Sequence, residues 1–164
     1  NCLQNKFLKK LNFSVNIPLS RQQKYFDLVL MNGNNKKVIV IQVKSSRTWK
    51  GKQTEFDSFF TRFNIDENYS DYYFFYMTYP VLSKNLNPGA KWDRKILVFS
   101  HKEMVDIFKN IKTISGKNEN RFSFGFNSEN DLVLGGRGFQ FFKDKDFSSN
   151  LFDTKAKEIE SVLS

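Results

Sequence analysis

Tyr25-Phe26-Asp27-Leu28-Val29-Leu30-Met31 and Lys37-Val38-Ile39-Val40-Ile41-Gln42-Val43-Lys44, joined by Asn32-Gly33-Asn34-Asn35, decide how this chain is read. Asn-Gly between two apolar runs is a hairpin signal. It predicts a strand over residues 25–31, a turn over 32–35 and a second strand over 37–44. Strand side chains alternate, so Gln42 and Lys44 share one face while Val43 turns to the core. The run 38–41 is apolar on both faces, which predicts a central, buried strand. A buried strand that ends in Gln-x-Lys needs a reason, because unpaired polar groups are costly to bury.

Working outward, Leu3, Phe7, Leu8 and Leu11 keep helical spacing, so residues 1–12 read as the end of an amphipathic helix. Residues 13–17 alternate and Pro18 closes them as a short extended segment. Phe56, Phe59, Phe60 and Phe63 recur at i, i+3, i+4 and i+7, predicting a helix over 53–63 whose aromatic stripe is core. Residues 71–79 (DYYFFYMTY) and 95–99 read as strands. Ser100-His101-Lys102-Glu103 is a capping box, so a helix follows to about residue 111, with His101 exposed in its first turn. After a polar loop over 113–120, residues 121–126 and 131–142 read as short strands around glycine turns. Arg121-Phe-Ser-Phe-Gly-Phe126 fits sheet core better than an RNA-stacking strand. Leu134-Gly-Gly-Arg-Gly138 lacks the Lys-Ser/Thr of a phosphate loop and reads as a turn. A final helix spans 149–163, its apolar face formed by Leu151, Phe152, Ala156, Ile159, Val162 and Leu163. This order predicts an α/β or α+β fold in a single domain, residues 1–164.

Composition narrows the chemistry. At 164 residues, 40% hydrophobic and 19 Phe, the chain has ample material for one core. One Cys and one His exclude an internal disulfide framework and most His/Cys zinc sites, and any histidine base would have to be His101. A metal enzyme built from this chain uses carboxylates, amides and carbonyls, hence a hard ion such as Mg²⁺. No apolar run approaches the roughly 18–20 residues of a membrane span, and residues 1–10 lack a signal peptide's apolar stretch. The expectation is a cytoplasmic protein without a membrane partner.

The formal net charge of +9 is unevenly placed. Residues 1–52 hold Lys6, Lys9, Lys10, Arg21, Lys24, Lys36, Lys37, Lys44, Arg47, Lys50 and Lys52 against one carboxylate, Asp27. The remainder is close to balance. Such a concentration suits a surface that meets a polyanion, although a Lys/Asn bias of composition alone would also produce it. Asp27, alone among these cations, is either a chosen residue or a solvent-facing strand residue paired with Lys24 or Lys44.

A divalent-metal phosphodiesterase explains both the lone acid and the polar strand end. Asp27 would give a charged oxygen to Mg²⁺, Gln42 its amide oxygen and Val43 its carbonyl, with water and a DNA phosphate completing the shell. Lys44 would hold or help deprotonate the attacking water and stabilise charge growing on the phosphate. Lysine suits that role because burial moves its pKa toward neutrality, which arginine does not allow.

Asp27, a gap of one hairpin, and Ile41-Gln42-Val43-Lys44-Ser45-Ser46 resemble the PD-(D/E)XK nuclease superfamily, the relatives of Holliday-junction resolvases and restriction endonucleases. The resemblance is best over residues 1–46 and looser through DYYFFYM and Ile96-Leu97-Val98-Phe99-Ser100. It implies a restriction-endonuclease-like core, a mixed β-sheet flanked by helices, and Mg²⁺-dependent DNA cleavage, with Mn²⁺ as a substitute ion. By position, Asp27 and Gln42 match the metal-binding acidic positions and Lys44 the catalytic lysine. Phe26 stands where the family has proline, Gln42 where it has Asp or Glu, and residues 1–11 lack the acid that many members carry on the first helix.

The expected activity is a DNA endonuclease of restriction or repair type, working alone, as a homodimer or in a larger system. Arg21, Lys24, Ser45, Ser46, Arg47, Trp49, Lys50 and Lys52 are its candidate DNA contacts. The alternatives are a DNA-binding module of the same fold without catalysis, and an RNA-binding or RNA-cleaving protein.

Overall fold

The structure, a computed structural model, describes residues 12–18, 26–50, 56–63, 65, 70–80, 92–109, 120–126, 132–135 and 145–164. Eight strands are present among them: β1 (Phe13–Asn16), β2 (Leu28–Asn32), β3 (Val38–Lys50), β4 (Phe56–Phe63), β5 (Tyr72–Pro80), β6 (Trp92–Ser100), β7 (Asn120–Phe126) and β8 (Leu132–Gly135). Helix α1 (His101–Lys109) follows β6, and a 3₁₀ turn (Ser148–Asn150) leads into α2 (Phe152–Leu163). The fold is α+β.

Five strands form a mixed sheet in the order β1-β2-β3-β5-β6. The β1–β2, β2–β3 and β5–β6 pairs are antiparallel, and β3–β5 is parallel. At the far end of β3, β4 pairs with Thr48 to Lys50, and β7 and β8 extend that arm, all antiparallel.

The β2–β3 connection forms where Asn-Gly predicts it. The Asn32 N–H donates to the Lys37 carbonyl at 2.9 Å and the Lys36 N–H to the Asn32 carbonyl at 2.8 Å. Lys36 takes the left-handed φ of 60° that closes the turn. Gly33 is required for space: a Cβ there would lie 3.0 Å from the Asn12 carbonyl oxygen. The turn also holds the end of α2, since the Nδ2 groups of Asn32 and Asn35 donate to the Leu163 carbonyl at 3.0 and 2.7 Å.

Each face of the mixed sheet is covered by one helix. On one face Leu30, Ile39, Ile41, Tyr72, Phe74 and Val98 pack with Phe152, Ala156, Ile159 and Leu163 of α2. On the other Tyr73, Phe75, Met77, Leu97 and Phe99 pack with Met104 and Ile107 of α1, and with Phe124 and Phe147. Alternation along β5 thus feeds two cores, which is why 72–77 is aromatic or apolar throughout. The α1 capping box is complete: the Glu103 carboxylate accepts from the Ser100 N–H at 2.7 Å, and Ser100 Oγ accepts from the Glu103 N–H at 3.3 Å. Among the described residues no helix is long and apolar enough to cross a membrane.

Several sequence expectations are corrected. The helix expected over 53–63 is strand β4, pairing with β7 through a register shift between Phe60 and Phe63. Aromatic residues favour strands once a partner supplies the ladder, and that partner is distant in sequence. The second hairpin strand continues past residue 44 to Lys50, and its first residue, Val38, is 47% exposed rather than buried. Asp27 sits one residue ahead of β2 instead of within it. His101 is half-buried rather than exposed, and α2 begins at Phe152, after the 3₁₀ turn. The helix over 1–12 falls, but for Asn12, outside the described residues, as do the 113–119 loop, 110–111 and most of 131–142.

Candidate active site

The pairing of β3 determines which polar side chains meet. Ile39 and Ile41 belong to the core under α2, and Val43 packs against it. By alternation Gln42, Lys44 and Ser46 take the opposite face, level with their register partners Tyr73, Phe75 and Met77 on β5. Gln42 and Lys44 are both half-buried there.

Asp27 reaches the same stretch from the β2 edge. Its N–H donates to the Ile41 carbonyl at 2.9 Å, and its Oδ2 accepts the Val43 N–H at 2.7 Å. The N–H and carbonyl of one strand residue point to the same edge, so the Val43 carbonyl is directed to the edge that the Asp27 carboxylate occupies. Burial pushes the Lys44 ammonium below its usual pKa, and the negative charge of Asp27 partly restores it, which places the two groups within electrostatic reach. The Gln42 amide and Asp27 Oδ1 make no hydrogen bond among the described residues.

Asp27 therefore has a structural task as well. It caps an N–H of β3 just where β2 has not yet begun. Asp71 does the same on the other edge, one residue ahead of β5: its Oδ2 accepts the Val40 N–H at 2.7 Å and its N–H donates to the Val40 carbonyl at 2.9 Å. Sequence reading gave no hint of this paired capping.

The expected DNA contacts divide. Ser46 lies on the Gln42–Lys44 face, its Oγ donating to the Arg47 carbonyl at 3.0 Å. Ser45 and Arg47 are exposed and alternate to the other face. Trp49 and Lys50 are placed as β3 backbone only, and Arg21, Lys24 and Lys52 lie outside the described residues. One neighbour was not anticipated: Tyr73, beside Gln42, has its hydroxyl 3.4 Å from Nδ1 of His101. The parallel β3–β5 register that brings them together leaves no local mark in the sequence.

Among the described residues no group of three or more His, Cys, Asp or Glu is arranged to hold a metal ion. The donors at hand are one carboxylate, one amide and one backbone carbonyl, all oxygen. No family model, curated protein or solved structure matches the chain.

Proposed function

We propose that the chain is a divalent-metal-dependent DNA endonuclease with a PD-(D/E)XK-like, restriction-endonuclease-like core. The observation that carries this reading is the convergence of the Asp27 carboxylate, the Val43 backbone and a partly desolvated Lys44 at one edge of β3. A mixed sheet with antiparallel β1 to β3, a parallel β5 and one helix on each face supports it. So does the excess of cations in residues 1–52.

An all-oxygen donor set fits a hard ion, Mg²⁺ or Mn²⁺, held by Asp27 Oδ1, the Gln42 amide oxygen and the Val43 carbonyl. When bound, such an ion acidifies water and offsets charge on a phosphoryl oxygen. The chain's own groups do the rest. Lys44, its pKa lowered by burial, holds the attacking water and takes up its proton when neutral, or donates to the phosphoryl oxygen when charged. Asp27 fixes the β3 edge against which Lys44 is presented, and cations such as Arg21, Lys24, Lys50 and Lys52 hold backbone phosphates.

A DNA-binding module without turnover is the second reading. It is favoured by one observation, that Asp27 already has a structural task in capping Val43 while Gln42 carries no charge.

Incubating supercoiled plasmid with the chain in Mg²⁺, Mn²⁺ or EDTA, beside Lys44→Ala, separates the two. Metal-dependent nicking or linearisation that disappears in Lys44→Ala is the expected result. No cleavage, with a salt-sensitive gel shift of the same DNA, leaves the binding module. Duplex RNA that outcompetes duplex DNA redirects the reading to RNA.

A further inference from the structure

We propose that Asn32 is a deamidation site which the fold holds shut, and that its conversion to aspartate or isoaspartate releases the end of α2. The proposal stands apart from the nuclease reading: the reaction needs only water.

Two structural demands meet in one dipeptide. Glycine is needed at position 33, because a Cβ there would lie 3.0 Å from the Asn12 carbonyl oxygen. An amide is needed at position 32, because its Nδ2 donates to the Leu163 carbonyl at 3.0 Å while its Oδ1 accepts the Asn34 N–H at 2.9 Å. An aspartate would keep the acceptor and lose the donor. The result is the one Asn-Gly step in the sequence. It is the step most open to succinimide closure, since glycine sets no side chain beside the attacking nitrogen. In that closure the Gly33 nitrogen loses its proton and bonds to Asn32 Cγ. The Cγ–Nδ2 bond breaks, and Nδ2 leaves with the proton as ammonia. Water then opens the ring at either of its carbonyls, giving aspartate or isoaspartate.

Native contacts engage each atom that has to move. The Gly33 N–H donates to the Asn12 carbonyl, both polar atoms of the Asn32 side chain are hydrogen-bonded, and Asn32 is only 8% exposed. Closure therefore waits for a local opening in which the end of α2 leaves the turn. Asn35 is the second tie against that opening, its Nδ2 donating to the Leu163 carbonyl at 2.7 Å.

Conversion changes the latch for good. An aspartate carboxylate has no donor and faces the Leu163 carbonyl at a buried position. Isoaspartate also inserts a methylene into the main chain of the turn. Ile159 and Leu163 belong to the core under the sheet, so loosening here reaches the last turn of α2. A chain that has opened once is thereby marked and left looser.

The test ages the full chain beside a synthetic peptide of residues 28–40 at mildly alkaline pH and follows Asn32 by mass spectrometry. Conversion at least about tenfold slower in the chain than in the peptide is expected. Asn35→Ala should speed conversion in the chain about three- to tenfold, because it removes the second tie. The deamidated fraction, separated by its added negative charge, and Asn32→Asp should both exchange amide hydrogens in the last turn of α2 about tenfold faster than the unmodified chain. Equal rates in chain and peptide, or a rate that Asn35→Ala leaves unchanged, would overturn the latch. Unchanged exchange in the deamidated fraction would overturn the release of α2. Plasmid nicking bears on neither result, so the nuclease reading stands or falls separately.

Discussion

Replacing Asp27 by Asn and by Ala separates its two tasks, and Asp71 serves as an internal control. Asp27 Oδ2 accepts the Val43 N–H, and Asp71 Oδ2 the Val40 N–H, both at 2.7 Å. A hydrogen bond to a charged acceptor contributes about 1.5–3 kcal/mol. Both aspartates are exposed, so water replaces part of what Ala removes, and a loss of about 1 kcal/mol is expected for either alanine variant. Asparagine keeps an acceptor oxygen, and either asparagine variant should lose less than about 0.5 kcal/mol.

Cleavage divides the same variants differently. A unit charge about 4 Å from a divalent ion is worth roughly 8 kcal/mol gross at an effective dielectric of 20. Desolvation returns much of this, and a residual of about 3 kcal/mol corresponds to a drop of at least about 100-fold in metal-dependent nicking for Asp27→Asn. Neither Asp71 variant should slow cleavage by more than about threefold, beyond what its stability loss explains. Urea unfolding followed by circular dichroism gives the stabilities, and plasmid nicking rates in Mg²⁺ give the activities. Asp27→Asn that folds normally and cuts at the unmodified rate would refute a catalytic carboxylate at this position. Equal stability of Asp27→Asn and Asp27→Ala would refute the capping role.

The remaining predictions concern Lys44 and the joints between elements. Because burial lowers the Lys44 pKa, its neutral form appears at a lower pH than for an ordinary lysine, and the cleavage rate should climb with pH through that value and then level. Lys44→Arg stays charged throughout, so it should lose that rise and about 100-fold or more in rate. Lys44→Met relieves the desolvated charge and should raise the urea midpoint while abolishing cleavage; a lower midpoint would mean that the ammonium is structurally required. At the α1–α2 joint, Lys155 Nζ lies 2.8 Å from Glu103 Oε1 and 2.6 Å from Glu158 Oε2. Burial alone would raise Glu103, but the Lys155 and Ser100 hydrogen bonds outweigh it and hold the carboxyl below its usual range. Its contribution is therefore present above the unfolded carboxyl pKa, near 4.3, and is lost as pH falls through the folded value, so Glu103→Gln should flatten the acid limb of a pH–stability curve. Asn32→Ala removes a buried donor from the Leu163 carbonyl and should cost about 1–2 kcal/mol in urea unfolding.

What the sequence discloses of this fold is what is locally patterned. The hairpin over β2 and β3, the two-faced apolar run of β5, the capping box of α1 and the apolar face of α2 each carry their signal within one short stretch, and each forms, except that Val162, expected on the α2 face, is 47% exposed. What it hides depends on distant partners. Ser45-Ser46-Arg47-Thr48 lacks the alternation of a strand, yet it extends β3 because β5 pairs alongside it up to Arg47. The four phenylalanines of β4 satisfy a helical period on paper, but β7, some sixty residues later in sequence, supplies a ladder instead. The isolation of Asp27 is plain in the charge pattern; its bond to the Val43 amide is not, because that depends on where β2 stops.

Where β2 stops also accounts for the polar end of β3. Between residues 38 and 41 this strand has β2 on one edge, and from Ile41 it has β5 on the other. From Gln42 onward β2 has ended, with Asp27 closing the ladder, and the side chains of Gln42 and Lys44 meet solvent on a narrowed sheet. Half-burial at a sheet edge relieves the desolvation that a fully buried Gln-x-Lys would suffer, so the fold tolerates this pair without any ligand. Tolerance does not explain why a lysine stands there. Its ammonium is still partly desolvated, and Asp27 offsets only part of that. Capping gives Asp27 a sufficient structural role, so the weight of the nuclease reading falls on the partly desolvated Lys44 beside it.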